Sequence, residues 1–365
     1  MRPVFWLVLL SVELGAQTPS LPDLTHLTQE LRTAIQNDSL VSAAELASRL
    51  DDAVQQRQSA WLIRDAGQRV KEILAWLPAD TESLWVNQEP FTIKPEESVE
   101  LLYGRPTQEY SVDRLMALNG GNWYRTLANR TVRLVVATAR NIPETQLAIP
   151  GVAPTEDVAY FYFFAGPIAP PPPDESVQGR PVWYATAKID AGGPPQPGAK
   201  REQRDDENWI ALTQPDLLIL SNRRTLLSEI LLRIGGGTEP RALPADLPEW
   251  TQIDPSASFW GLRHYAPKSK PRREESGFET ADLPRPDGAA VGVTARFDSA
   301  QQRLEVRYLS GAQLAQRGGF ADNLHREFQV DQPEAGVWRL IADVQKRGPW
   351  PVHFALAMLG FGMYR

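Results

Sequence analysis

Four histidines, His26, His264, His325 and His353, are the whole imidazole inventory of this chain, and cysteine is absent. Acid–base work near neutral pH falls most readily to histidine, so these positions bound the chemistry on offer. None pairs with another at metal-ligand spacing and no His-Glu-x-x-His occurs, so no metal site is expected. Without cysteine there is no disulfide, zinc–thiolate centre or thiol nucleophile. His26 lies beside a leucine stripe and reads as a surface-margin residue. His325 and His353 read as ordinary helix-margin and strand residues. His264, in the run Trp260-Gly261-Leu262-Arg263-His264-Tyr265, is the candidate for a catalytic base.

Next to it stands the most concentrated positive patch: Arg263, Lys268, Lys270, Arg272 and Arg273. An anionic glycan, a lipid headgroup or an acidic partner would find charge there. Glu274 and Glu275 follow at once, so a mixed, hydrated loop is the plainer reading. Other reactive constellations are missing. Nucleophilic serine chemistry lacks a Gly-x-Ser-x-Gly elbow. Gly235-Gly236-Gly237 follows a helix pattern, whereas a phosphate cradle precedes one, so no cofactor is expected. Asp205-Asp206-Glu207 sits beside Arg201 and Arg204 without calcium-loop spacing and reads as a solvated loop. A glycosidase pair is defined by separation in space, which 45 acidic residues leave open.

The elements that would position these residues change character along the chain. Residues 21–77 read as helical. Asp23 stands at an N-cap position, and Leu24, Leu27, Leu31 and Ile35 recur on one face. Asn37-Asp38-Ser39 breaks the pattern. A second stripe runs from Val41 through Leu50, Trp61 and Val70 to Leu77, so residues 21–77 as a whole read as a helical hairpin or three short helices. Strands follow at Ser83–Val86, Phe91–Ile93, Val132–Thr138 and Val158–Phe164, with a short helix near Ser111–Leu118. The run Tyr160 to Phe164 is apolar on both faces and is expected at the sheet centre. Pro170–Pro173 reads as a polyproline loop over the surface. Val182–Ile189, Trp209–Thr213 and Leu217–Leu220 read as strands, with a loop over Asp190–Asn208. Asn222 is expected to cap a helix faced by Leu226, Leu227, Ile230, Leu231 and Ile234. Phe259–Tyr265, Ala289–Phe297 and Arg303–Leu309 continue the strands, with a charged loop over 267–288 and a turn at Asp298–Gln301. Gly336–Val344 and Val352–Met363 read as a closing strand pair, with helix a rival for the second.

The chain's start resembles an export signal: Arg2, an apolar run from Val4 to Val12, then Leu14-Gly15-Ala16. Residues 1–16 are therefore expected to be cleaved. The run is too short to span a bilayer, which needs roughly 20 apolar residues. The expected location is the periplasm or exterior, with no transmembrane segment in the mature chain. A net charge of −7 over 365 residues argues against nucleic-acid binding through a positive field. Apolar content of 42% is that of a folded chain rather than a disordered one.

The tetrapeptide Leu77-Pro78-Ala79-Asp80 returns as Leu243-Pro244-Ala245-Asp246, each time after a helix pattern and before a Trp-bearing strand (Trp85, Trp260). The expected fold is α+β: a helical segment (17–77), then two mostly antiparallel sheet units, 78–242 and 243–365, each carrying a helix and read as related. This layout resembles uncharacterised exported bacterial proteins in which a signal peptide and helical segment precede α/β modules. The resemblance rests on the general plan and the two tetrapeptide junctions, and it implies a similar fold and no site residues. The functional expectation is a non-enzymatic protein that binds another envelope protein or an anionic envelope component. A hydrolase acting on envelope polymers through His264 or carboxylates is the rival, and a structural envelope component the third reading.

Overall fold

The computed structural model describes residues 24–94, 122–140, 157–190, 203–236, 240–264, 290–310, 328–348 and 350–359. The chain is α+β and divides into two compact units between Asp65 and Ala66. The signal segment, Asp23, the expected helix near Ser111–Leu118 and the loop over 267–288 lie outside the described residues.

The first unit is helical. Helix α1 spans Leu24–Gln36, and α2 begins at Leu40 and runs to Trp76. Asp38, at φ 54, makes the elbow, and Ser39 opens α2 with its hydroxyl on Ser42 at 3.0 Å. Two helices with the expected break at 37–39 are found rather than three, and the stripe from Val41 onward is one helix of 37 residues. Its composition explains this: Ala, Leu, Gln and Arg are its commonest residues, no proline interrupts them, and Gly67 is its single glycine.

The second unit is built on one sheet. Its strands are β1 (Ser83–Asn87), β2 (Phe91–Thr92), β3 (Thr131–Arg140), β4 (Asp157–Phe164), β5 (Glu175–Val177), β6 (Arg180–Asp190), β7 (Gln203–Gln214), β8 (Leu217–Ser221), β9 (Phe259–His264), β10 (Ala290–Asp298), β11 (Arg303–Ser310), β12 (Gln329–Glu334) and β13 (Val337–Asp343). Their order is β12-β13-β11-β10-β9-β1-β3-β4-β8-β7-β6-β5, with β2 on β3, and every pairing among the described residues is antiparallel. As expected, β4 is central and buried at every position. Among the described residues the helices of this unit are the end of α2 from Ala66, α3 (Asn122–Leu127), α4 (Arg224–Ile234), α5 (Val344–Arg347) and α6 (Trp350–Met358), with a 3₁₀ turn over Pro248–Gln252.

Both faces of the sheet are covered, and alternation along each strand decides which side chain goes where. Trp85, Val135, Tyr160, Tyr162, Phe259 and Val293 share one core with Trp123 of α3 and Val352, Phe354 and Leu356 of α6. Leu84, Val86, Leu134, Phe161, Trp260 and Leu262 share the other with Val70, Ile73 and Leu74 at the end of α2 and Leu226, Leu227, Ile230 and Leu231 of α4. Each such side chain removed from water stabilises the fold by about 1.5–3 kcal/mol.

The two tetrapeptides lead into the two strands at the seam of the sheet, since β1 lies beside β9 with Trp85 opposite Gly261. Their tryptophans face opposite cores. Three ion pairs lock the first junction, as Arg140 reaches Asp80 at 3.7 Å, Asp157 at 3.1 Å and Glu229 of α4 at 2.6 Å. At the second, the Trp250 indole N–H donates to the Pro244 carbonyl at 2.9 Å.

Three expectations are corrected. Residues 350–358 are helix α6 rather than a strand; β13 closes instead on β12, through a turn at Gly336. The run Trp350 to Met358 is apolar on all sides, which suits a short helix buried under a sheet. Asn222 does not cap α4. Arg223 holds that position in extended geometry, while Asn222 Oδ1 accepts the Val158 N–H at 2.7 Å. The expected loop over Asp190–Asn208 is shorter at its C-terminal side, because Gln203 to Asn208 already pair with β6. The proline run is the surface loop expected, and the Trp183 indole N–H, donating to the Pro171 and Pro172 carbonyls, fastens it to the sheet.

Candidate functional site

His264 ends β9, with its main-chain N–H on the Glu82 carbonyl at 2.9 Å. Counting by twos from Leu262 and Trp260 puts its imidazole on the face that carries α2 and α4 elsewhere. There it meets Glu249 of the 3₁₀ turn: His264 Nδ1 and Glu249 Oε1 lie 2.9 Å apart. The Glu249 side chain is 0% exposed, and that of His264 is 29% exposed. Oε2 of Glu249 is buried without a hydrogen-bond partner.

Local sequence explains how the carboxylate arrives. Pro248 fits the first position of a helical turn, where its missing N–H costs nothing, and an acidic residue follows naturally in that first turn. Opposite His264 on β10 stands Gly292. A Cβ on Gly292 would lie 1.9 Å from Glu249 Oε1 and 2.3 Å from the Arg263 carbonyl. Only glycine leaves room for the carboxylate over the sheet.

The same face continues as a belt of charges. A row across the strands reads Leu262, Thr294, Arg307, Arg339 and Asp331. Arg307 and Arg339 stand directly opposite each other, an unfavourable pairing unless acids neutralise it. Glu305, 3% exposed, takes Arg307 Nε and accepts Arg296 Nη2 at 2.9 Å. Asp331 takes Arg339 in a two-pronged contact at 2.8 and 2.6 Å. Burial by itself would raise the Glu305 carboxyl, but hydrogen bonds from Arg307 and Arg296 hold it below its ordinary 4.5. The Arg339 hydrogen bond lowers Asp331 in the same way. Three guanidiniums thus face three acids, counting Asp254 on Arg296 at 3.0 Å. The belt is an internally balanced clamp.

Of the basic patch expected around His264, Arg263 points to the sheet's end and pairs with Glu82 at 3.4 Å. Lys268, Lys270, Arg272 and Arg273 lie outside the described residues, as does His325. His26 is exposed on α1, 3.6 Å from Glu30. His353 is partly buried on α6, in helix where a strand was expected. No three His, Asp or Glu side chains gather as metal ligands among the described residues. Glu249 was not among the expected site residues. Pro248-Glu249 signals a helical start in the sequence, but nothing local signals the histidine fifteen positions on.

No family model matches this chain, and no curated protein does. Among solved structures it is similar to TP0453 in several crystal forms. Form I gives a TM-score of 0.38 at 9% identity, covering 74% of this chain and 90% of that one. Forms III and IV give 0.33 and 0.31 at 11% and 10% identity, each covering 75% of this chain and 92% and 91% of theirs. Likeness at that level carries no argument about this chain.

Proposed function

We propose that the chain is an exported interaction protein of the bacterial envelope that holds a protein partner through the elbow of its helical unit. One observation supports it above the rest. Ile35, Leu40 and Val41 are 60%, 74% and 76% exposed within seven residues of one another. Scattered exposed aliphatics are ordinary, but a group at the tip of a helical unit is the composition of a contact surface. Exposed Arg32, Asp38 and Glu45 surround the group with both signs of charge. An apolar centre with a mixed polar rim suits a protein partner. An open groove at the same elbow, lined by His26, Gln29, Thr33, Asn37, Ser39 and Ser42, adds shape to it. No helix among the described residues is long and apolar enough to cross a membrane.

A photo-crosslinking residue placed at Leu40 in the full chain, in living cells, tests the surface. A discrete adduct is expected from Leu40 and none from the exposed sheet position Arg303. Equal labelling at both, or none at Leu40, overturns the reading. Export is tested separately by mass spectrometry of the envelope fraction, where a chain beginning at Gln17 is expected. An intact Met1 or Arg2 on cytosolic protein would remove it. The common origin of the two tetrapeptide-led units stays part of the proposal; its support is that each tetrapeptide precedes one of the two seam strands.

A further inference from the structure

Going beyond the elbow, we propose that the chain self-associates through the outer edge of β6, which pairs strand to strand with β6 of a second copy. The hairpin of β6 and β7 carries the argument. Its register runs unbroken from Val182 opposite Ala211 to Asp190 opposite Gln203. On the outer side, β5 pairs only with Arg180 to Val182. On the inner side, β8 pairs with β7 from Trp209 to Gln214 and no earlier. Beyond those limits the hairpin is, among the described residues, a ribbon of two strands. Two strands alone are marginally stable in water, and further strands secure them.

Main-chain hydrogen bonds show which groups this edge presents. The Asp174 N–H donates to the Val182 carbonyl at 3.1 Å, and the Tyr184 N–H donates to Asp174 Oδ2 at 2.8 Å. Even-numbered residues of β6 therefore aim their main-chain groups away from β7, and the unbroken register carries that parity to Thr186 and Lys188. Asp174 closes the edge at Tyr184, and no described strand pairs along it from Thr186 onward. Of the devices that blunt an edge, β6 has a lysine at 188 but neither a proline nor a bulge beyond Val182. Tyr184 adds packing. Its ring is 40% exposed and lies 4.7 Å from that of Trp209, so a strand laid alongside β6 covers it.

Symmetry selects the occupant. A twofold axis normal to the ribbon sets β6 antiparallel to its counterpart, the sense in which β5, β6, β7 and β8 already pair. Centred on Ala187, the axis places Thr186 opposite Lys188 of the partner subunit, and Lys188 opposite Thr186 of the partner subunit. Each such pair exchanges two main-chain hydrogen bonds. β5 stops pairing at Val182 and lies outside this overlap. The two ribbons then form one four-stranded sheet, so a single contact supports both copies. A strand from a different protein would support only one.

Sedimentation equilibrium of the full chain tests this, and a reversible species of twice the chain's mass is expected. Thr186→Pro removes one outward N–H from each copy and none that β7 uses, so the fold should persist. Losing two hydrogen bonds across the axis should raise the dimer Kd about 10–100-fold. Ala187→Cys puts one cysteine into a chain that has none. Partners outside the hydrogen-bonded pairs stand about 4.5 Å apart at Cα, so mild oxidation should link the two copies. Should Thr186→Pro fail to fold, this variant still decides. Leu40→Asp should leave the dimer intact, so the edge and the elbow stand or fall separately. A monomer at every concentration, a Thr186→Pro chain as dimeric as the parent, or an Ala187→Cys chain that stays unlinked overturns the proposal. So does a dimer that Leu40→Asp disperses. Slow hydrogen exchange at Thr186 and Lys188 in a monomer also overturns it, by placing another segment of this chain on the edge.

Discussion

A carboxyl group shut away from water is tolerable only while a hydrogen-bond partner meets it, and for Glu249 that is the imidazole 2.9 Å away. His264→Ala should therefore lower the unfolding free energy by about 1–3 kcal/mol, the usual cost of leaving a buried polar group without its partner. Denaturant titration measures it; a loss under about 1 kcal/mol would mean that solvent reaches the carboxylate after all. Gly292→Ala should cost about 3 kcal/mol, the upper end for overpacking, because the Arg263 carbonyl it strikes is backbone and yields little. A chain with Gly292→Ala that melts like the parent would remove the steric account. The sequence shows His264 as a strand histidine and says nothing of Glu249. Their meeting depends on a 3₁₀ turn folding back across β10, and on a glycine whose purpose emerges only in three dimensions.

Charges bind the strands together at the next scale. Glu305 on β11 joins Arg296 of β10 to Arg307, and Asp331 joins β12 to β13 through Arg339. Because Glu305 is held below its ordinary 4.5, the folded state keeps it ionised where the unfolded chain begins to protonate. The sign follows: its contribution is whole above that value and disappears as pH falls through the lower folded one. Stability measured downward from about pH 5 should fall less steeply in Glu305→Gln than in the parent chain. Parallel curves would show that the clamp carries no linkage.

Most strands were legible because β-branched and aromatic runs such as Val132–Thr138 and Val158–Phe164 have no other comfortable conformation. The elements that were missed lack such a signature. β12 reads Gln-Val-Asp-Gln-Pro-Glu, polar enough for an edge and too polar to announce a strand. α6 has no period to read, and Pro351 in its first turn was the available hint. The 37-residue α2 was whole in one expected arrangement and divided in the other, because its stripe weakens midway while its helix-forming composition continues.

At the level of the molecule, one sheet with a core on each face makes β4 the best protected strand and β12 the least. Hydrogen exchange should rank amides of Asp157–Phe164 slowest and those of Gln329–Glu334 fastest. The reverse order would contradict the layering. The seam between β1 and β9 has a further bearing on how the protein comes into being. The partner of Trp85 lies about 180 residues downstream, so at 5–20 residues per second roughly 10–35 s of synthesis separate the two strands. Throughout that interval β1 offers a bare, strongly apolar edge to whatever else is nearby. A nascent chain in that condition is a natural client for a holdase, and unfinished copies are the ones most prone to clump.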